Sequence, residues 1–228
     1  MHSDLRSTEL VFSPVDAPTL KDKIASDIRV AILSGALQPG ERIVESRLAR
    51  QMNVAQTTVR EAIQLLVSEG LLIKRVNRES LVRKLTKPGI DDLFVLRIDL
   101  EALAVELAHS KIDEMALAPL YEGVERMRRA ARVRNIPEFY RFDIAFHQQL
   151  GRLAKNEFLE RALIPLSIGP IAFVLAGLPS PLETNYIQVA DDHAQILDAF
   201  KAETPKGARQ VMERMLRAWY ELQMRTFP

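Results

Sequence analysis

The chain has 228 residues, of which 47% are hydrophobic, and it contains no cysteine. That is length enough for one large domain or two modest ones with a packed core, and it excludes disulfides and thiolate metal ligands, which fits a reducing cytoplasm. Net charge is only +1, yet residues 1–87 hold 14 Lys/Arg against 10 Asp/Glu whereas residues 88–228 hold 17 against 20, so the basic first third fits nucleic-acid contact at one end.

Residues 1–17 read as a polar, flexible arm ahead of Pro18, without the apolar run a signal peptide needs. Residues 18–86 read as one unit. Pro18 or Thr19 starts a helix, LKDKIASDIRVAILSG, with Ile24, Ile28, Ile32 and Leu33 on its apolar face and Gly35 as its cap. LQPGERI is a turn, punctuated by Pro39-Gly40. Val44 to Met52 forms a short second helix with Leu48 inward, ended by Asn53.

The stretch NVAQTTVREAIQLLVSEGLL, Asn53 to Leu72, then supplies a third helix. Val59, Ile63, Leu66 and Val67 recur at helical spacing and face a core, and Gly70 marks the end. Gln56, Thr57, Thr58 and Arg60 crowd its start. A recognition helix presents such side chains to base edges and phosphates; an ordinary amphipathic helix with a polar first turn has the same pattern. IKRV and SLVRKL alternate around a turn at Asn77-Arg78, the signature of a small β-hairpin. Three helices and a basic hairpin make a winged helix-turn-helix.

These residues resemble the DNA-binding domain of GntR-type bacterial transcription regulators. The LxPGERI turn, the RLARQMNV helix, the VxxTTVREAIQLLVSEGLL helix and the hairpin carry the likeness. It implies DNA contacts from Thr57, Thr58 and Arg60. Thr hydroxyls suit phosphates, and Arg suits phosphate or a guanine edge. Gln56 stands where many relatives have Arg, and glutamine prefers adenine edges, so a shifted operator sequence is expected. Ala55 replaces a common hydroxyl residue. Ser46 replaces another DNA-contacting Arg, for which neighbouring Arg47 and Arg50 are either substitutes or solvated charges. Arg75, Asn77 and Arg78 in the wing either enter a minor groove or touch backbone, or remain a solvated tip.

After a linker at Thr86-Lys87-Pro88, residues 87–228 read as an all-α antiparallel bundle of six helical segments: Gly89–His109, Asp113–Val133, Pro137–Lys155, Glu157–Ala176 with a kink around Pro165 to Pro170, Leu182–Ala202 and Pro205–Arg225. The apolar run from Ile164 to Leu178 is broken by Pro165, Gly169 and Pro170 and is too short to span a membrane. LRIDLEALAVELA, FYRFDIAFHQQLGRLAKN, DDHAQILDAF and ARQVMERML, in that order, resemble the effector domain of the FadR-type (FCD) branch of the same family. The expected fold is therefore mainly α, a winged helix-turn-helix followed by a helical bundle that binds effector and dimerises.

Asp143 and His147 lie four residues apart, on one face of one helix. The resemblance adds His193 as a third ligand of a divalent, Zn-like ion and places Met215 at the fourth position, where a soft neutral thioether suits such an ion poorly. A three-ligand site still holds an ion when water or an effector oxygen completes it; the competing reading is a polar cluster that binds an organic effector without metal. The resemblance implies that Arg97 points into the cavity to pair with an effector carboxylate, which its fork geometry suits; the other reading is a surface i, i+4 pair with Glu101, and Leu96, Leu100 and Leu103 beside it favour the inward one. Arg126, Arg128, Arg129, Arg132 and Arg134 wrap around their helix and read as a solvated surface, and Trp219, Tyr220 and Phe227 as core or dimer contacts.

Together these features imply a ligand-responsive transcription regulator, a repressor by resemblance. It would bind double-stranded palindromic DNA as a homodimer and respond to a small carboxylate effector. The alternatives are a metal-dependent enzyme using Asp143, His147 and His193 around an activated water, and a helical interaction protein with a degenerate winged domain.

Overall fold

The computed structural model describes residues 19–75, 79–177, 184–202 and 204–225. The N-terminal arm, the wing tip with Asn77 and Arg78, and Phe227 lie outside these residues.

Helix α1 (Leu20–Leu33) starts at Thr19, whose side chain and that of Asp22 form a reciprocal capping box. Strand β1 (Arg42–Ile43) follows, then α2 (Glu45–Met52), which Asn53 ends in a left-handed conformation at φ 52°. Helix α3 (Gln56–Ser68) buries Val59, Ala62, Ile63 and Leu66 against Ile24, Ile28 and Ile32 of α1, with Val67 half-buried. Strands β2 (Leu72–Lys74) and β3 (Ser80–Val82) form the hairpin, whose pairing continues to Arg75, where the amide donates to the Glu79 carbonyl at 2.9 Å.

The sheet has three strands in the order β1-β3-β2, all antiparallel, rather than the two-stranded hairpin expected. Arg42 and Ile43, expected as turn, pair with Leu81 and Ser80. Gly40, at φ +85°, turns the chain so that its amide donates to the Val82 carbonyl and the Val82 amide to that of Glu41. Ser80, Leu81 and Val82 of this central strand are all buried, so the expected alternation is absent.

The rest is helical among the described residues. Helix α4 (Lys87–His109) starts two residues earlier than expected, with Thr86 as cap and Pro88 in the first turn. Helices α5 (Glu114–Arg132), α6 (Ile136–Leu153) and α7 (Glu157–Leu163) are capped by Asp113, Asn135 and Asn156. The expected single helix Glu157–Ala176 is three pieces: α7, a 3₁₀ segment (Ile164–Ile171) and α8 (Ala172–Leu175). Pro165 and Pro170 lack the amides that α-helical pairing needs, and the 3₁₀ winding absorbs them. Helix α9 (Tyr186–Ala202) begins later than Leu182, with residues 182–183 outside the described set. Helix α10 (Pro205–Met224) is capped by Thr204 and packs along α4, where Phe94 meets Trp219 and Tyr220 at ring-centroid distances of 5.6 and 5.1 Å.

One apolar core runs through both parts, from Ile24 of α1 to Leu216 of α10. No helix among the described residues is long and apolar enough to cross a membrane.

Candidate nucleic-acid interface and metal centre

The outer face of α3 is the first candidate site. Burial of Val59 and Ile63 turns Gln56, Thr57 and Arg60 to solvent, with Thr58 half-buried beside them. Helix α3 starts after extended Ala55 without a side-chain cap, as α2 does after Val44, whereas six other helices receive a Thr, Asp or Asn oxygen at this position. No side chain among the described residues caps this start, so its amides and positive dipole end are not committed to a side-chain acceptor, as phosphate contact requires. Arg47 and Arg50 are exposed on α2, as is Arg75 just after β2. Ser46 is exposed and gives the interface no charge at its position.

Glu45 was not foreseen in this face. Its Oε2 accepts a hydrogen bond from Nε of Arg60 at 3.0 Å and from Nε2 of Gln56 at 3.4 Å.

The second candidate site is buried in the bundle. Helix α6 presents Asp143 and His147 from adjacent turns of one face, and α9 presents His193 opposite them. Nε2 of His193 lies 2.7 Å from Oδ1 of Asp143 and 3.3 Å from Nε2 of His147, which in turn lies 3.5 Å from that carboxylate oxygen. All three side chains are at most 5% exposed.

Each imidazole is held from behind. Nδ1 of His193 faces the Val189 carbonyl oxygen at 2.6 Å, and Nδ1 of His147 faces Oε2 of Glu101. With the proton on Nδ1 in both rings, two Nε2 lone pairs and a carboxylate oxygen converge on one point. Such a set repels itself unless a proton or a cation lies between. Ligand atoms about 2.1 Å from a tetrahedral Zn²⁺ would stand roughly 3.4 Å apart, which two of the three separations approach. The donor set thus fits a Zn-like ion, with each Nδ1 facing an outer oxygen as in metal-bound histidines.

Electrostatics favour positive charge, a proton or a cation, within this cluster. Burial opposes ionisation of Asp143, but hydrogen bonds from His147 and His193 outweigh it and hold its carboxyl far below the ordinary range. Burial likewise opposes ionisation of Glu101, yet Arg97 and His147 bring it down to about 2. For His147, burial favours the neutral ring, but the Glu101 carboxylate outweighs it, and the pKa is raised despite Arg97.

Arg97 combines its two expected readings. It is paired with Glu101, Nε to Oε1 at 2.6 Å, but the pair is buried, at 2% and 5% exposure, rather than on the surface. Its guanidinium lies 5.4 Å over the Phe94 ring and directly against Gly169, where an added Cβ would meet Cδ and Nη1 of Arg97 at 2.5 Å. The inward direction does not come from Leu96, which is 54% exposed because it occupies the opposite side of α4. Met215 lines the same small space as Arg97, Asp143, His147 and His193. That space is about 20 Å³, room for one water-sized occupant and not for an organic acid. Glu101 and His147 also line an open cavity of about 180 Å³, as do Leu65, Ser68 and Glu69 at the end of α3.

Glu101 is the residue the sequence reading undervalued. A glutamate in the largely apolar stretch LEALAVELA, four residues after Arg97, was the available signal, since a charge amid core positions persists only when paired.

A winged helix-turn-helix with the outer face of α3 exposed, joined to a helical bundle with a buried Asp/His/His cluster, defines a DNA-binding regulator. Residues 20–82 match the family described as bacterial regulatory proteins, gntR family, and residues 92–218 match the FCD domain. The chain belongs to the GntR family of transcriptional regulators, in its FCD-containing, FadR-type branch.

Among its relatives, the uncharacterized HTH-type transcriptional regulator YdhC of Bacillus subtilis is 33% identical over 141 residues, 60% of this chain and 62% of that one. A probable D-xylose utilization operon transcriptional repressor of Paenarthrobacter nicotinovorans is 28% identical over 201 residues, 88% and 87% of the two chains. The fold is that of E. coli McbR/YncC, with a TM-score of 0.70 at 24% identity over 90% of this chain and 99% of that one. These relatives are regulators and not enzymes, so the metal-dependent enzyme alternative has no support.

Proposed function

We propose that the chain is a cytoplasmic repressor that binds a palindromic operator as a homodimer. Residues 18–86 read the DNA, and residues 87–228 bind the effector and dimerise. The observation that carries this reading is the outer face of α3, where Gln56, Thr57 and Arg60 stand exposed with Thr58 around an uncapped helix start. Two such faces related by a two-fold axis double the contacts that one short helix makes. Arg47 and Arg50 take phosphate contacts in place of the arginine missing at Ser46, and Arg75, Asn77 and Arg78 contact DNA from the wing.

Asp143, His147 and His193 would hold a divalent ion of the Zn²⁺ type, with Met215 beside it and outside its coordination. The ion would supply a Lewis-acid anchor for an effector oxygen. The effector is a small organic acid whose carboxylate is drawn toward Arg97. The space at the ligands admits little beyond an ion, so the body of the acid requires the adjoining cavity walled by Glu101 and His147. Effector and operator are coupled insofar as the effector prefers one arrangement of bundle and winged part.

Two measurements test this. A mobility-shift assay on DNA upstream of the protein's own gene is expected to show salt-sensitive, sequence-selective binding, and its absence would refute the regulator reading. Protein purified without chelator is expected to carry about one divalent ion per chain, lost in His147→Ala and His193→Ala; unchanged metal content in both variants would remove the ligand assignment.

A further inference from the structure

Glu45 is an unexpected residue at a DNA interface. It places a carboxylate where phosphates approach, which costs affinity for any DNA sequence. A role at the start of α2 alone, where an acidic side chain favours the helix dipole, does not explain where its oxygen points. Oε2 lies between the two base-reading candidates of α3, 3.0 Å from Nε of Arg60 and 3.4 Å from Nε2 of Gln56. The Glu45 side chain is 16% exposed while that of Arg60 is 49% exposed, so the acceptor is seated in the fold and the guanidinium extends from it.

We propose that Glu45 is a specificity-determining positioning residue, which aims Arg60 and Gln56 at base edges and never touches DNA itself. The inference rests on the DNA-binding reading of α3.

Donor geometry makes the case. A guanidinium is planar with five N–H donors in fixed directions. Committing the Nε–H to Glu45 sets the plane and leaves the Nη fork for the paired acceptors of guanine, O6 and N7. The Gln56 amide is fixed in a similar way. A carboxylate neighbour selects the orientation with Nε2 toward Glu45, because Oε1 in that place would be repelled. The carbonyl and the other N–H are then available for the two-point contact glutamine makes with adenine. Untethered, both side chains would sample rotamers that reach phosphates, and recognition would become tighter on average and less selective. Glu45 thus exchanges general affinity for discrimination.

The test is in vitro selection from a random-sequence duplex pool with the full-length wild type and with Glu45→Ala and Glu45→Gln, followed by affinity measurement on the selected and scrambled duplexes. Wild type is expected to enrich a two-fold symmetric motif. Glu45→Ala is expected to lose about tenfold of its preference at the base pairs under Arg60 and Gln56, in line with one lost two-point contact, while binding scrambled DNA several-fold more tightly. Glu45→Gln keeps an acceptor without the charge and is expected to fall between the two. A merely structural role would lower the thermal unfolding midpoint without flattening base preference. If Glu45→Ala does not fold, Glu45→Asp carries the test, since its carboxylate is one methylene too short to hold Arg60. Equal sharpness of the enriched motif in wild type and variants would overturn the role of Glu45 alone. A wild type that enriches no sequence would sink the DNA reading and this role with it.

Discussion

At the scale of single residues, the buried cluster depends on groups one layer behind the candidate ligands. Glu101 receives Nδ1 of His147 on one oxygen and Nε of Arg97 on the other. Glu101→Gln is expected to leave the ligand atoms in place yet lower metal affinity by about 10- to 100-fold, the usual effect of losing an outer carboxylate, as measured by competition with a chromophoric chelator. Unchanged affinity would show that His147 needs no anchor. Away from the cluster, the Tyr220 hydroxyl donates to Oδ1 of Asp91 at 2.5 Å, and that hydrogen bond, with some desolvation, pushes its pKa up to about 12. The folded pKa lies above the ordinary value near 10, so this bond's stabilisation is complete below about pH 10 and disappears as pH rises toward 12. An ultraviolet titration is expected to show one tyrosine ionising late, and Asp91→Asn to bring it back toward the others. The spacing of Asp143 and His147 was visible in the sequence because four residues fix a common helix face. His193 required the family resemblance, since nothing local says which face of α9 meets α6. The outward side of Leu96 was misjudged because α4 is apolar on more than one face, and periodicity then names no single inner side.

Among the elements, the helix starts were the most legible features. Thr19, Asp113, Asn135, Asn156 and Thr204 were readable as starts because side-chain capping is a local bond between neighbours in sequence. Strand β1 escaped notice because two residues are too few to show alternation, and only pairing with β3 makes them a strand. The winding of residues 164–171 was foreseen as a kink, but the close packing of Gly169 on Arg97 depends on contacts far apart in sequence. That packing makes Gly169→Ala informative. A methyl group there overlaps a guanidinium that is buried and already paired, so it cannot swing into solvent. The variant is expected to lose about 1–3 kcal/mol of unfolding free energy in urea, the usual cost of overpacking, with weaker metal binding as Arg97 drags Glu101 and His147. Wild-type stability would mean that the 3₁₀ segment shifts freely.

For the molecule as a whole, the proposed coupling needs a path from the buried cluster to α3. The core continues from winged part to bundle, and a backbone hydrogen bond crosses the joint. The Leu85 amide donates to the Leu175 carbonyl at 2.9 Å; on the winged side, Glu69 caps the end of α3 and its carboxylate ties Arg29 of α1 through two hydrogen bonds of 2.6 and 2.9 Å, and Gly70 follows at φ +82°. Neither pairing was legible in the sequence, because each joins segments 40 or more residues apart, whereas Gly70 was readable as the helix end. A Cβ on Gly70 would stand 3.0 Å from the Pro165 carbonyl oxygen and 3.5 Å from the Ile168 side chain. Through that segment Gly70 connects to Gly169 and thence to Arg97, so the end of α3 rests on the backbone that covers the cluster. Gly70→Ala adds a left-handed residue at a cost of about 1–2 kcal/mol and pushes this joint apart. Wild-type protein is expected to differ by about fivefold or more in operator affinity between metal-loaded and chelated forms, the low end of ordinary coupling energies. In Gly70→Ala the same ratio should approach one while metal affinity stays at the wild-type value. Fluorescence anisotropy with labelled operator, run beside chelator competition, separates the two quantities. A variant that keeps the wild-type ratio would place the coupling elsewhere than at the contact between Gly70 and Pro165.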